Sequence, residues 1–145
     1  MSDIMPPWFY WALGSAVFAA LTAICAKIGI DGIDSDFATL FRTVVILGIL
    51  FVFVKYTGKW RDPLSLSPRN WLFLTLSGVA TGASWVCYFR ALQMGDASKV
   101  APVDKLSLVL VAVFATLFLG ERPTAREWLG ISLVGIGVVI LGLKR

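Results

Sequence analysis

Five long apolar segments, separated by short polar ones, make up most of this chain. They cover residues 8–28, 37–54, 70–92, 100–119 and 128–143. An α-helix needs about 20 mainly apolar residues to cross the hydrocarbon core of a bilayer. The fifth segment would extend about 24 Å as a helix, and it can cross if the bilayer thins locally or flanking charges reach outward. The pattern therefore predicts an all-α membrane protein with five transmembrane helices in one domain, residues 1–145.

The composition agrees with this assignment. Of the 145 residues, 58% are hydrophobic and 15% charged, and the mean hydropathy is +0.82, whereas a soluble domain is about half apolar and about a quarter charged. There is no histidine, and Cys25 and Cys87 lie within apolar segments. We therefore expect no zinc site, disulfide framework, cofactor or enzymatic activity. The net charge of +4 lies in short loops, so nucleic acid is not an expected partner.

Aromatic and basic residues mark the predicted membrane boundaries. Five tryptophans lie at helix ends, as in an aromatic belt: Trp8, Trp11, Trp60, Trp71 and Trp128. Six basic residues belong to the face with the N-terminus: Lys55, Lys59, Arg61, Arg69, Arg122 and Arg126. Five belong to the opposite face: Lys27, Arg90, Lys99, Lys144 and Arg145. This near balance leaves two arrangements open, a fixed orientation with the N-terminus inside and a dual topology with antiparallel pairing.

Five charged residues lie within the apolar segments, and three of them lie farther from the helix ends than Lys27 and Arg90. Arg42 is in the second helix, and Asp104 and Lys105 are at a similar depth in the fourth. An ionised side chain near mid-membrane costs at least about 2.5 kcal/mol on insertion scales, so it usually faces a partner or water. Either Arg42 and Asp104 form a structural ion pair, or the three line a cavity for anionic or zwitterionic solutes, which we favour. Lys27 and Arg90, nearer the helix ends, are expected to extend towards lipid headgroups.

The third helix carries two parallel stripes at helical spacing. Hydroxyl groups form one stripe: Ser77, Thr81, Ser84 and Tyr88. Small and aromatic residues form the other: Gly78, Gly82, Trp85 and Phe89. Trp85 lies away from the predicted membrane boundaries, and hydroxyls beside an aromatic face suit a solute pathway. In the alternative, the hydroxyls bond to the backbone and the glycines seat a neighbouring helix.

Glycine and proline residues mark the last two helices. Gly130 and Gly137 are seven residues apart, as are Gly135 and Gly142, so each pair shares a helix face and permits close approach. One row is expected to contact a partner chain, although packing within the chain would explain both. We interpret Pro102 as a first-turn proline of the fourth helix. A break in that helix at a binding site is the alternative.

Several stretches resemble the EamA-like domain of the drug/metabolite transporter superfamily. These are Ala91-Leu92, Ala97–Pro102, Leu119–Thr124, Trp128–Ile131 and Gly135–Val138. Lys27 and Arg42 also occupy positions where such domains often carry these residues. The resemblance implies one half of a ten-helix inverted-repeat transporter fold, in which the first four helices of each half line a substrate cavity. Asp104-Lys105 departs from many relatives, which are apolar there.

This resemblance implies a secondary-active transporter of a small polar metabolite in the cell membrane. A single five-helix unit is then expected to pair as an antiparallel homodimer and to work by alternating access. The expected substrate-binding residues are Arg42, Ser84, Trp85, Tyr88, Asp104 and Lys105, and the expected dimer-interface residues are Gly130, Gly135, Gly137 and Gly142. Asp104 is a candidate site for a coupling proton or cation. The alternatives are a non-transporting subunit or scaffold, and a half-transporter paired with a paralogue.

Overall fold

The computed structural model of this protein describes residues 6–143. Lys144 and Arg145, which were counted among the boundary charges, lie outside the described residues. The described chain is helical, with no β-strand between residues 6 and 143. Five segments are long and apolar enough to cross a membrane: Pro7–Gly29 (α1), Ser35–Tyr56 (α2), Pro68–Met94 (α3), Ala97–Leu119 (the fourth span) and Ala125–Gly142 (the fifth span). The prediction of five transmembrane helices is confirmed.

Every span begins one to three residues before its predicted start. In the second and fifth spans the difference arises because the apolar pattern leaves out the polar capping residues and first turns of the helices. The Asp34 carboxylate accepts the Asp36 and Phe37 amides at 2.9 and 3.1 Å, so α2 starts at Ser35. The fifth span has 18 residues rather than the shorter stretch expected, and it extends about 27 Å at the usual helical rise.

The fourth span is interrupted, contrary to the prediction of one continuous helix. It consists of Ala97–Asp104 (α4), Ser107–Phe114 (α5) and a π-helical turn, Ala115–Leu119. The span begins at Ala97 rather than residue 100, so Pro102 lies inside α4 and the first-turn interpretation is wrong. A proline within a helix removes one backbone hydrogen bond and weakens the helix. The helix breaks between Asp104 and Ser107, and a break in this helix was the alternative prediction for Pro102.

The backbone tightens at this break. The amides of Lys105 and Leu106 donate to carbonyls three residues earlier, at 2.9 and 3.0 Å, and those of Leu108 and Val109 do the same at 3.0 and 3.1 Å. Bonds of this 3₁₀ type are frequent where a helix ends or is strained. The polar pair Asp104 and Lys105 therefore lies at the discontinuity between α4 and α5 rather than within a regular helix.

The stretch between the fourth and fifth spans stops one helix and starts the next. Gly120 has a φ of +70°, the left-handed conformation that commonly ends a helix. The Thr124 hydroxyl accepts the Glu127 amide, and the Glu127 carboxylate accepts the Thr124 amide at 2.6 Å, which is a capping box. The helix after this box, Ala125–Gly142, is named α6. The stretch Leu119–Thr124, which resembles part of the EamA-like domain, thus contains Gly120, which ends one helix, and Thr124, which caps the next.

Two groups of residues are compact by themselves. The α2–α3 unit, residues 25–93, contains the end of α1, then α2 and α3, with a short 3₁₀ helix, Pro63–Ser65, between them. The α4–α6 unit comprises residues 6–24 and 94–143 of the described chain. Within it, α6 packs against α4 and α5.

Candidate functional site

A bidentate ion pair joins α2 to α3 in the α2–α3 unit. Arg90 donates from Nε to one Asp36 oxygen at 2.9 Å and from Nη2 to the other at 2.6 Å. Asp36 lies in the first turn of α2, where a negative charge also interacts favourably with the helix dipole. The two side chains are 58% and 47% exposed in the isolated chain. This pair fixes the beginning of α2 beside the last turns of α3.

Two further hydrogen bonds hold the same end of α3. Lys27 Nζ, in the last turn of α1, donates to the Leu92 carbonyl at 2.5 Å. Gln93 Nε2 donates to the Ile33 carbonyl at 2.9 Å in the α1–α2 connection. Lys27 and Arg90 thus bind protein groups, and their extension towards lipid headgroups stays a prediction. Together with the Arg90–Asp36 pair, these contacts form a polar clasp around the C-terminal turns of α3.

Arg42 lies deeper along α2 and stacks on two aromatic rings of α3. Its guanidinium carbon is 4.5 Å from the centroid of Trp85 and 5.1 Å from that of Phe89. Phe89 is only 2% exposed, which fixes one ring of this platform. Cation–π contacts of this kind stabilise a guanidinium through its face. Tyr88 also interacts electrostatically with the Arg42 guanidinium, which makes no ion pair within residues 6–143.

The residues of the two stripes on α3 differ in their surroundings. The Thr81 hydroxyl donates to the Ser77 carbonyl at 2.8 Å, which is the backbone-bonding alternative for that pair. Ser84 is exposed, whereas Tyr88 is half-buried with its ring edge-on to Phe89. The two glycines of the other stripe, Gly78 and Gly82, have no atom of the described chain near a Cβ placed on them. No described helix is seated on these glycines.

The α4–α6 unit contains the other two predicted site residues. Lys105 Nζ lies 3.2 Å from an Asp104 carboxylate oxygen, so the two neighbours form an ion pair at the break in the fourth span. The Asp104 side chain is 35% exposed and that of Lys105 is 50% exposed. In transporters with discontinuous transmembrane helices, the unwound backbone and the half-helix ends bind substrates and ions.

The glycines of α6 differ in their surroundings. A Cβ at Gly135 would lie 3.2 Å from Val109 Cγ2 of α5, which is closer than ordinary van der Waals contact. At Gly130, Gly137 and Gly142 a Cβ would meet no described atom within 4 Å. Gly135 thus serves packing within the chain, whereas the row of Gly130 and Gly137 is open.

Sequence reasoning missed two members of this arrangement. Asp36 was treated as a loop residue, although an acidic side chain in the first turn of α2 lies on the membrane face assigned to Arg90. Phe89 was recognised only as part of a stripe, yet it completes the platform under Arg42. Its spacing of four residues from Trp85 was the available signal, since such residues share a helix face.

Comparison with known proteins gives a consistent picture. The model of the EamA-like transporter family matches residues 6–143. A Sinorhizobium protein named as an uncharacterised transporter in the cobO 3′ region is 56% identical over 136 residues, which cover 94% of this chain and 96% of that protein. A Bacillus subtilis protein named as the uncharacterised transporter YxxF is 26% identical over 146 residues. That alignment covers all of this chain and 45% of the Bacillus protein, so the chain spans about half its length.

A third relative has a more specific name. A Yersinia pestis protein named as the probable subunit ArnE of a 4-amino-4-deoxy-L-arabinose-phosphoundecaprenol flippase is 33% identical over 86 residues, which cover 57% of this chain and 73% of that protein. No solved structure shows a significant match.

Proposed function

This chain belongs to the EamA-like transporter family, and we propose that it carries a small polar metabolite with an anionic group by secondary-active, alternating-access transport. It is a multi-pass membrane transporter of the drug/metabolite type. The substrate class, the dimeric state, the coupling ion and the location in the cell membrane are parts of the proposal.

The stacking of Arg42 on α3 carries this proposal. A charge in a membrane span costs free energy unless a partner or water compensates it. Trp85 and Phe89 contact the guanidinium, and we expect a substrate anion to bind its hydrogen-bonding edge. The planar donors of arginine match carboxylate and phosphate oxygens bidentately. Ser84 and Tyr88, on the same helix, supply hydroxyls for the polar remainder of a metabolite.

A ligand-stabilisation screen tests the anion site. The purified chain is heated with amino acids, dicarboxylates, sugar phosphates and their uncharged analogues, and unfolding is followed for the native protein, Arg42→Gln and Arg42→Lys. We expect the stabilising compounds to be anionic and to bind Arg42→Gln about 10- to 100-fold more weakly, because a charge-assisted hydrogen bond contributes about 1.5–3 kcal/mol. Arg42→Lys should retain part of the affinity.

Arg122→Gln is the matched control, since it removes an exposed cation from the connection before α6. It should leave ligand binding unchanged. Stabilisation mainly by uncharged compounds, or full stabilisation of Arg42→Gln, would contradict the role given to Arg42.

Asp104 is the proposed coupling site. Its carboxylate lies at the break in the fourth span and has only the neighbouring Lys105 as its recorded ionic partner within residues 6–143. Such a group can change protonation as its exposure alternates between the two sides. In proteoliposomes containing a pH-sensitive dye, a compound found by the screen should drive proton movement in the native protein but not in Asp104→Asn. Coupled movement at the native rate in Asp104→Asn would remove Asp104 from the mechanism.

An antiparallel homodimer is the proposed assembly. The near-even distribution of basic residues and the open row of Gly130 and Gly137 on α6 support it. The alignment with the Sinorhizobium protein covers 96% of it, so that relative is about as long as this chain. Two differently tagged copies, expressed together, should co-purify and crosslink with opposite orientations.

A half-transporter paired with a paralogue is the second candidate. The word "subunit" in the name of the Yersinia relative favours it. In that case the two tagged copies would not co-purify, and a different EamA-type chain would be recovered with each. A scaffold that does not transport would show neither ligand stabilisation nor exposure of α3 to both aqueous sides.

A further inference from the structure

The connection between α2 and α3 is the most basic part of the described chain outside the proposed substrate site. Residues 55–69, called the basic loop, contain four cations and one carboxylate: Lys55, Lys59, Arg61, Arg69 and Asp62. The Asp62 carboxylate has a hydrogen-bond partner within the loop, because it accepts the Leu64 amide at 2.9 Å and caps the 3₁₀ helix. Lys59 and Arg61 are exposed and have no recorded side-chain partner within residues 6–143.

Aromatic contacts fold this loop onto the helix ends. Lys55 Nζ lies 4.3 Å from the Trp60 ring centroid, and the edge of Trp60 packs against Phe51 at 5.4 Å between ring centroids. On the other side, Trp71 Nε1 donates to the Pro63 carbonyl at 3.0 Å. The loop is therefore attached at both ends rather than extended into water.

The position of the loop brings it to the membrane surface. Both α2 and α3 are long and apolar enough to cross the bilayer, so a loop folded onto their ends lies at the depth of the lipid headgroups. Leu64, on the 3₁₀ helix, is 87% exposed, and Trp60 is 47% exposed. An apolar tip beside indole rings and cations is the combination that enters the interfacial region of a bilayer.

We propose that the basic loop is a binding surface for anionic phospholipid headgroups, with Lys59 and Arg61 contacting the phosphate and Leu64 entering the acyl region. The charge of the connection between the fourth and fifth spans supports this choice of partner by contrast. Residues 120–127 contain two cations, Arg122 and Arg126, and two carboxylates, Glu121 and Glu127. That segment has no net charge, whereas the basic loop has a net charge of +3 and attracts anionic headgroups.

Native mass spectrometry of the full chain tests this surface. The protein in a neutral detergent is titrated with dioleoylphosphatidylglycerol or dioleoylphosphatidylcholine, and bound lipids are counted. Each basic residue near an anionic lipid surface strengthens binding about fivefold. We expect the native chain to prefer phosphatidylglycerol, and the double variant Lys59→Gln, Arg61→Gln to lose about tenfold or more of that preference. The exchanged variant Lys59→Arg, Arg61→Lys should retain it.

Two control variants test whether lipid binding depends on this loop and its apolar tip rather than on the total charge of the chain. The double variant Arg122→Gln, Arg126→Gln makes the same change in total charge and should keep the preference. Leu64→Ser should weaken binding of both lipids. Equal binding of the two lipids by the native chain, or an equal loss in the control variant, would overturn the proposal. Displacement of phosphatidylglycerol by inorganic phosphate at the same concentration would overturn the lipid assignment in favour of a free anion.

Discussion

Gly135 and Gly137 of α6 provide a paired test of which glycine row packs within the chain. Alanine at Gly135 would place its Cβ 3.2 Å from Val109 Cγ2, so Val109 must move by a few tenths of an ångström. Alanine at Gly137 meets no described atom within 4 Å. The two substitutions add the same methyl group to the same helix, so in monomeric protein their difference in stability reports the contact with Val109.

The expected magnitude follows from this geometry. Any gain in helix propensity, about 1 kcal/mol for Gly to Ala in a helix interior, applies to both variants and cancels in the comparison. Overpacking costs typically about 1–3 kcal/mol, and the branched side chain of Val109 has little rotamer freedom with which to relieve it. We therefore expect Gly135→Ala to be about 1–3 kcal/mol less stable than Gly137→Ala.

Reversible unfolding in mixed detergent micelles, followed by circular dichroism, measures this difference. Adding Val109→Ala to Gly135→Ala should recover part of the loss, although Val109→Ala alone destabilises. Gly137→Leu should leave the protomer folded but weaken self-association, measured by analytical ultracentrifugation. Equal stabilities for Gly135→Ala and Gly137→Ala would refute the assignment of Gly135 to packing within the chain. An undiminished dimer in Gly137→Leu would remove that glycine row from the interface.

Three further predictions concern local interactions. Reversing either charge of the Asp36–Arg90 pair should lower the midpoint of thermal unfolding. The double exchange Asp36→Arg, Arg90→Asp should restore part of the loss, because an arginine in the first turn of α2 opposes the helix dipole; a double variant no better than the singles would exclude the pair. Pro102→Ala supplies an amide that can donate to the Ser98 carbonyl, so the amides of α4 should exchange with deuterium more slowly, and unchanged exchange would mean that the proline does not weaken the span. Thr124→Ala removes a helix cap and should destabilise by about 1 kcal/mol, whereas Thr124→Ser should not; similar losses in both would argue against capping.

The five spans were predictable because each must carry a long apolar run to cross a bilayer. Their first turns were not, since those turns use polar residues. Ser35 and Asp36 read as loop residues by hydropathy, yet the capping carboxylate of Asp34 includes them in α2. The break in the fourth span was weighed and set aside, because the predicted start at residue 100 placed Pro102 in a first turn.

The candidate site was predictable as a set of residue types but not as a set of contacts. Apolar patterning singled out Arg42 and Trp85, because a cation and a non-boundary tryptophan are unusual within spans. The stacking of one on the other depends on how α2 and α3 are rotated about their axes, which a period of 3.6 residues does not specify between helices. The same limit hid Asp36 as the partner of Arg90, since the two are 54 residues apart in sequence.

Cysteine accessibility at position 84 tests the central claim, that α3 lines a pathway exposed in turn to both aqueous sides. Ser84→Cys is made with Cys25→Ser and Cys87→Ser, reconstituted in liposomes, and labelled by an impermeant maleimide supplied only outside or only inside. Alternating access predicts that either treatment alone labels essentially every molecule, whatever its orientation. Ser65→Cys in the basic loop is the control, whose two labelled fractions should add up to the whole. If the fractions of Ser84→Cys labelled from outside and from inside also add up to no more than all of the molecules, alternating exposure of α3 is contradicted.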